Sequence, residues 1–169
     1  EGAGERADNA LERYPRTPND LQILAKLKGQ VPIVSVVMGA SAGHGALGAV
    51  FSDYVIMTRN AALFSAGPYL VKASLGQTVT ADELGGAQMH ATNSGIAHAV
   101  ADDEDEAFEK VRHYLGFFTL PHIGKENVAP KGGKDILKII PADLMQPYDM
   151  LGALSEVFDS GTLLELQPD

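Results

Sequence analysis

The sequence contains no cysteine, has a deficit of positive charge and has no long hydrophobic run. The lack of cysteine excludes disulfides, thiolate catalysis and cysteine-ligated metal, and it is compatible with a reducing compartment. Lys and Arg total 13 against 22 Asp and Glu, which gives a net charge of −9. This balance argues against nucleic-acid binding, which needs a basic face, and against attachment to an anionic membrane. No apolar run reaches the ~18–20 residues that a bilayer span requires.

The composition is otherwise that of a globular protein, because 45% of the 169 residues are hydrophobic and 21% are charged. The chain starts without Met at Glu1-Gly2-Ala3-Gly4. A glycine-rich segment of this kind normally follows a strand, so we expect a fragment, a processed piece or one half of a split protein. The alternative is a tag or linker remnant. No His, Asp and Glu residues have metal-ligand spacing, and we expect no metal.

Short strands and helices alternate along the sequence. The apolar run over residues 31–38 predicts a strand that is buried on both faces, and residues 53–58, 62–65 and 96–100 predict further strands. Helices are predicted over residues 21–27, 69–74 and 150–158. A capping box at Thr80 and Glu83 starts another helix, and residues 102–115 form a longer one with Ala107 and Phe108 on its buried face. These units are shorter than Rossmann units, so we predict an α/β fold of repeating ββα type.

The composition changes at residues 121–134, where Pro, Gly, Lys and Asn dominate. This change is typical of a linker. The expected boundaries are therefore a first domain over residues 1–120 and, over residues 121–169, the linker followed by a second unit.

The glycine-rich turn at residues 39–45 is the strongest local signal, because it follows a buried strand and precedes a stretch of small residues. Such a turn presents unpaired N–H groups at a helix N-terminus. They could bind phosphate, and residues 43–48 do spell G-x-G-x-x-G, but the acidic residue expected ~20 positions later is missing. They could instead form an oxyanion hole for a thioester enolate, with the N–H groups of Gly43 and His44 as donors. A turn whose glycines serve only packing is the third possibility.

Several segments resemble one enzyme family. Residues 31–45 read VPIVSVVMGASAGHG and residues 53–57 read DYVIM, where the family has a strand, G-P-C-A-G-G-A and T-D-[FY]-V-[IV]-M. GPYLVK at 67–72, GQTVTADELGGAQMH at 76–90, SGIAH at 94–98 and DDE at 102–104 follow in the family's order. The sequence resembles the carboxyltransferase β subunits of propionyl-, methylcrotonyl- and acetyl-CoA carboxylases, which belong to the crotonase-like superfamily. The match runs through almost the whole chain from Val31.

The resemblance implies a function. These enzymes move CO2 from carboxybiotin, carried on a partner protein, to the α-carbon or vinylogous carbon of an acyl-CoA, and the biotin ureido group supplies the base. The fold would be a partial crotonase-like (ClpP-like) ββα superhelix, the second half of the acyl-CoA-binding domain. Residues 121–169 would then be the linker into a second crotonase-like domain. The implied partners are acyl-CoA, the remainder of the carboxyltransferase, the biotin carboxylase and the biotin carrier, in a homo- or hetero-oligomer of the cytoplasm or mitochondrial matrix.

The resemblance also supplies site residues. The backbone N–H groups of Gly43 and His44 correspond to the oxyanion hole, and the family usually has Gly at the position of His44. The positions matching the family's substrate loops are Gly2, Ala3, Gly4, Ala42 and Gly67. Lys72 either meets a CoA phosphate or is simply solvated. His90 is expected to bond across a helix end or to line the pocket, and His98 is expected to be structural.

Other functions within the resemblance remain open. A biotin-dependent acyl-CoA decarboxylase runs related chemistry in reverse, and a non-catalytic assembly fragment is compatible with the missing second domain. A hydratase or isomerase of the crotonase type needs Asp or Glu beside the turn, and residues 39–50 contain neither. We expect the isolated chain to be inactive, because the biotin side of the site would lie in the missing domain.

Overall fold

The structure is a computed structural model that describes residues 19–118, 136–143, 145–159 and 162–168. Gly2, Ala3, Gly4 and the predicted linker at 121–134 lie outside the described residues. Residues 19–118 and 166–168 belong to one compact unit, and residues 136–159 and 162–165 belong to another. In the part of the chain so described, no helix is both long enough and apolar enough to span a membrane.

The first unit contains five short strands and six α-helices in its described residues. The strands are β1 (Val34–Val37), β2 (Ala40–Ala42), β3 (Tyr54–Thr58), β4 (Ala62–Phe64) and β5 (Ala99–Ala101). The helices are α1 (Asp20–Leu27), α2 (His44–Val50), α3 (Pro68–Leu75), α4 (Ala81–Gly85), α5 (Ala87–Met89) and α6 (Glu104–Gly116), with a π-helical turn over His90–Ser94. In the second unit, a 3₁₀ turn (Ile136–Lys138) and α7 (Met150–Val157) are described.

The strands form two parallel sheets, one ordered β1-β3-β5 and the other β2-β4. Val34 pairs with Tyr54, and Ala40 pairs with Ala62, so the chain returns to the same two sheets after 20 and 22 residues. The order β1-β2-α2 is therefore followed by β3-β4-α3. This is the predicted ββα repeat.

The core lies around β3, whose five residues are all buried. On one side Tyr54 stacks on Tyr114 of α6, with ring centroids 4.6 Å apart and planes inclined by 18°. Ala107 of α6 is fully buried, but Phe108 is 41% exposed, so the prediction that Phe108 faces the core was wrong. Adjacent residues on a helix point about 100° apart, and α6 directs Ala107 rather than Phe108 towards β3.

Local sequence explains several helix ends. Asn19 and Gln22 form a capping box at the start of α1, and Thr80 and Glu83 form the predicted one at the start of α4. Gly76 ends α3 with φ of +72°, a left-handed conformation that glycine adopts readily. The start of α3 at Pro68 and that of α7 at Met150 agree with the predicted helices within one residue.

Candidate functional site

The candidate site is built on the turn between β2 and α2. The sequence predicts one turn over residues 39–45, but Ala40–Ala42 form the strand β2, which pairs in parallel with β4. Gly43 caps α2 with φ of 65° and ψ of −127°, a conformation that only glycine adopts without strain. The chain therefore turns within a single residue from the end of a strand into the first turn of a helix.

The amide of Gly43 continues the strand pairing, since its N–H donates to the carbonyl oxygen of Phe64 at 3.1 Å. That N–H is consequently occupied, and the expectation of free donors at both Gly43 and His44 is not met at Gly43. The cause is the register of β2 on β4, in which Ala42 lies opposite Phe64. Gly43 shapes the turn in this structure.

The next three backbone amides, unlike that of Gly43, are unpaired within the part of the chain that the structure describes. Among the described residues, no acceptor is found for the N–H groups of His44, Gly45 and Ala46, while Leu47 donates to the carbonyl of Gly43 at 3.1 Å as the first helical bond. Unpaired N–H groups of this kind are the normal state of a first helical turn. His44 and Gly45 are exposed and Ala46 is buried, so the first two of these amides belong to residues that solvent reaches.

The imidazole of His44 turns away to helix α1. Its Nε2 lies 2.6 Å from Oδ2 of Asp20, and both side chains are more than half exposed. The hydrogen bond from His44 holds the pKa of the Asp20 carboxyl below its ordinary value. Nothing in the sequence indicated Asp20 as the partner of His44, because the two residues are 24 positions apart.

A cleft of about 590 Å³ runs along β1 beside this turn. Leu24 of α1 lines one side, Gly45, Gly48 and Ala49 of α2 line another, and β1 lies between them. The remaining lining residues are Ile33, Ser35, Val36, Val37, Met38, Gly39, Ser41 and Ser52. Most of these side chains are small or aliphatic, and such a lining is typical of ligand clefts.

The other predicted site residues divide into two groups. Ala42 is partly buried at the end of β2, and Gly67 caps α3 and lies so close to the Phe64 ring that an added Cβ would approach it to 3.3 Å. Both residues are therefore next to Phe64, the acceptor of the Gly43 amide. Lys72 is exposed on α3, and its ammonium makes no hydrogen bond or ion pair with the described residues.

His90 and His98 have structural contacts. His90 is buried, with Nε2 2.6 Å from the carbonyl oxygen of Leu63 and Nδ1 2.7 Å from the hydroxyl of Ser94. Nε2 therefore donates to the carbonyl, which leaves Nδ1 of a neutral ring to accept from the hydroxyl. This is a bond between a helix end and β4, as expected. It anchors the π-helical turn to the strand that also holds Gly43.

His98 joins β3 to the segment that leads into β5. Nδ1 of His98 accepts from the amide of Val55 at 3.0 Å, and the amide of His98 donates to the carbonyl of Val55 at 2.8 Å. Burial, followed by the positive charge of Lys28, lowers the pKa of His98. In the described part of the molecule, no group of three or more His, Asp or Glu side chains could hold a metal ion.

Comparison with known proteins agrees with this picture. The sequence matches the carboxyl transferase domain family over residues 21–169. It is 34% identical over 151 residues to the methylmalonyl-CoA carboxyltransferase 12S subunit of Propionibacterium freudenreichii subsp. shermanii, which covers 84% of this chain and 28% of that protein. It is 31% identical over 147 residues to the methylmalonyl-CoA decarboxylase subunit alpha of Veillonella parvula, with 83% and 29% covered.

Solved structures show the same fold. A transcarboxylase 12S crystal structure with methylmalonyl-CoA and methylmalonic acid bound superposes with a TM-score of 0.75 at 32% identity, covering 85% of this chain and 29% of that one. A single-chain, multi-domain long-chain acyl-CoA carboxylase superposes with a TM-score of 0.72 at 26% identity, covering 95% and 18%. These likenesses confirm the predicted crotonase-like α/β fold. The chain spans about 30% of the length of the curated relatives named above. By sequence and by fold, this chain belongs to the carboxyl transferase domain family.

Proposed function

We propose that this chain contributes the acyl-CoA side of a biotin-dependent carboxyltransferase, which moves CO2 from carboxybiotin to the α-carbon or vinylogous carbon of an acyl-CoA. The observation that carries the proposal is the placement of free amide N–H groups beside an apolar cleft, in a chain of the carboxyl transferase domain family. The cleft forms part of the acyl-CoA site, and the thioester carbonyl faces the first turn of α2.

The donors in this proposal are the N–H groups of His44 and Gly45. An enolate oxygen gains negative charge as the α-proton leaves, and pre-positioned donors stabilise that charge more strongly than they stabilise the neutral thioester. Gly45 also lines the cleft, so this donor belongs to a residue that a bound ligand would contact. Gly43 shapes the turn, and Ala42 and Gly67 lie next to Phe64, whose carbonyl accepts from the Gly43 amide. Lys72 is available to a CoA phosphate.

In this proposal, biotin enters the site on its carrier protein and is not held permanently by this chain. When bound, carboxybiotin supplies CO2 and its ureido nitrogen accepts the α-proton. Among the described residues, the free amides at the start of α2 are the ones beside the cleft, and that set suits a single oxygen atom. We therefore place the biotin-binding groups in the remainder of the carboxyltransferase, with a biotin carrier and a biotin carboxylase as further partners. We propose that residues 121–169 lead into that second part.

An open strand edge supports the remainder of the carboxyltransferase as partner. In the described residues β1 is paired only with β3, and β2 only with β4, so each has one unpaired edge. Unpaired edges readily accept a further strand. Pairing there would extend both sheets and close the cleft along β1. The oligomer that we propose is accordingly one in which this chain is completed by other parts of the enzyme.

A decarboxylase of the same family is the second candidate function. The observation that favours it is the 31% identity to a methylmalonyl-CoA decarboxylase subunit alpha. The same donors would then stabilise the enolate formed as CO2 leaves the acyl-CoA. A third possibility is that the chain is a non-catalytic assembly fragment. Such a fragment would bind no acyl-CoA, whereas both enzymes would.

Calorimetric titration tests the binding step. CoA and propionyl-CoA are titrated into the 169-residue chain, first alone and then with the remainder of the carboxyltransferase added. We expect binding of propionyl-CoA in the completed enzyme. Absence of binding under both conditions would refute the proposal and favour an assembly role.

Two variants of one residue test the donors. Proline is tolerated at the first position of a helix and has no N–H, so His44→Pro removes one donor at little structural cost. His44→Ala removes the same ring and keeps the N–H. In the completed enzyme we expect His44→Pro to lower kcat about 10²–10³-fold relative to His44→Ala. Equal activities of the two variants would exclude the His44 amide as a donor.

A further inference from the structure

Helix α1 forms one wall of the cleft but is poorly anchored by apolar packing. None of its residues is buried. Its inward contact is Leu24, which lines the cleft and lies against α2, where an added Cβ at Gly48 would approach its Cδ1 to 3.9 Å. An eight-residue helix with so little buried surface is marginal by itself. Its position must therefore depend on other contacts.

Polar contacts hold α1 at both of its ends. At its N-terminal end, Asp20 meets Nε2 of His44, the first residue of α2, at 2.6 Å. At its C-terminal end, the Lys28 ammonium lies 3.0 Å from the carbonyl oxygen of Phe51, the last cap of α2, and 3.3 Å from Asp53. The starts of the two helices are thus joined, and so are their ends, so α1 and α2 run side by side in the same direction.

We propose that Asp20 is a positioning residue of the acyl-CoA site. Through the imidazole of His44 it holds the wall formed by α1 and keeps that ring away from the free N–H groups at the start of α2. The inference depends on the function proposed above. Without the carboxylate, the ring is free to rotate towards the cleft, and the first turn of α1 loses its only polar contact with α2 among the described residues.

The contact with a carboxylate requires a proton on Nε2 of the imidazole. A carboxylate only accepts hydrogen bonds, so Nε2 must carry a proton, in the neutral Nε2–H tautomer or in the imidazolium. The bond between Asp20 and His44 is therefore charge-assisted. Both side chains are more than half exposed, and exposed pairs contribute little to global stability. The contact should therefore influence ligand binding and local order more than the folding equilibrium.

The test compares Asp20→Ala, which removes the acceptor, with Asp20→Asn, which keeps a carbonyl acceptor of similar shape. Glu109→Gln is the charge control, because Glu109 is exposed on α6 and Asp20→Asn changes the net charge by the same amount. The first measurement is the long-range ¹H–¹⁵N NMR spectrum of the His44 ring together with hydrogen exchange of the α1 amides. We expect Asp20→Ala to change the tautomer signal of His44 and to accelerate exchange in α1, while the other two variants resemble the wild type.

The second measurement is the affinity for propionyl-CoA, under the condition in which the wild type binds it. We expect Asp20→Ala to weaken binding about twofold to fivefold, Asp20→Asn to restore most of it, and Glu109→Gln to have no effect. An unchanged His44 spectrum in Asp20→Ala would show that the contact does not hold the ring and would overturn the proposal. A changed spectrum with unchanged affinity overturns the positioning role and leaves the proposed function intact. If the wild type itself binds no acyl-CoA, the proposed function and the positioning role fail together.

Discussion

Substitution of Gly85 should show how much the position of the β4 backbone contributes to the stability of the protein. Gly85 is buried at the end of α4, directly against the backbone of β4. A Cβ added at this position would lie 2.9 Å from the carbonyl carbon of Leu63 and closer still to the carbonyl oxygen, with the Phe64 ring at 3.1 Å. Carbon atoms reach their optimal separation at ~3.5–4.0 Å, so Gly85→Ala forces the strand backbone to move by about half an ångström or more.

The magnitude follows from what this movement disturbs. Overpacking a well-packed interior costs about 1–3 kcal/mol, and here the opposing atoms belong to the backbone, which cannot change rotamer. The Leu63 carbonyl also accepts from Nε2 of buried His90, and weakening that bond adds about 1–3 kcal/mol. The usual benefit of Ala over Gly in a helix offsets about 0.5–1 kcal/mol. We therefore expect Gly85→Ala to lower the free energy of unfolding by about 1–5 kcal/mol.

Urea denaturation followed by circular dichroism measures this loss. Gly116→Ala is the matched control, because Gly116 lies at the end of α6 and an added Cβ there meets nothing within 4 Å. The control should be neutral or slightly stabilising. A double-mutant cycle with His90→Leu tests the mechanism, since the two substitutions disturb the same carbonyl and their costs should not add. A cost below about 0.5 kcal/mol for Gly85→Ala, or strict additivity with His90→Leu, would refute the reasoning.

Two further predictions concern the core around β3. Because burial lowers the pKa of His98, the unfolded chain binds its proton more readily than the native chain does, and stability should rise as pH rises from the depressed native pKa towards ~6.5. His98→Asn keeps an acceptor for the Val55 amide and cannot titrate, so urea midpoints measured against pH should be flatter for this variant; an equally steep profile would exclude His98 as the cause. The stacked pair of Tyr54 and Tyr114 should show a coupling of about 0.5–1.5 kcal/mol in a cycle of Tyr→Leu substitutions, and a coupling near zero would mean that the rings contribute only buried area.

The sequence predicted those elements whose signals are local. β3 is a run of strand-forming residues that is buried on both faces, and the composition of residues 53–58 already indicates this. The start of α4 follows from a capping box, which involves residues only three apart. The start of α3 at Gly67-Pro68 and its end at Gly76 follow from the backbone preferences of proline and glycine.

Elements that depend on distant partners were missed. β2 consists of Ala40, Ser41 and Ala42, which have little intrinsic strand preference, and it exists because β4 lies beside it. β5 begins at Ala99, although the sequence predicted a strand from residue 96, because His98 uses both its amide and its ring to bond Val55. The bond between His44 and Asp20 crosses 24 residues, and neither residue type identifies the other in a sequence.

The position of the free N–H donors could not be predicted from the sequence. The glycine-rich pattern indicated a turn around Gly43, but it could not reveal which of the nearby amides the protein itself uses. That choice is made by β4, where the adjacent carbonyls of Leu63 and Phe64 accept from His90 and from Gly43 respectively. One strand therefore fixes the turn, and the first available donors move one residue along, to His44 and Gly45. A consequence follows for the Gly85 variant: by displacing the Leu63 carbonyl it should also disturb the neighbouring Phe64 carbonyl, and so change the amide environment at Gly43 without touching the turn directly.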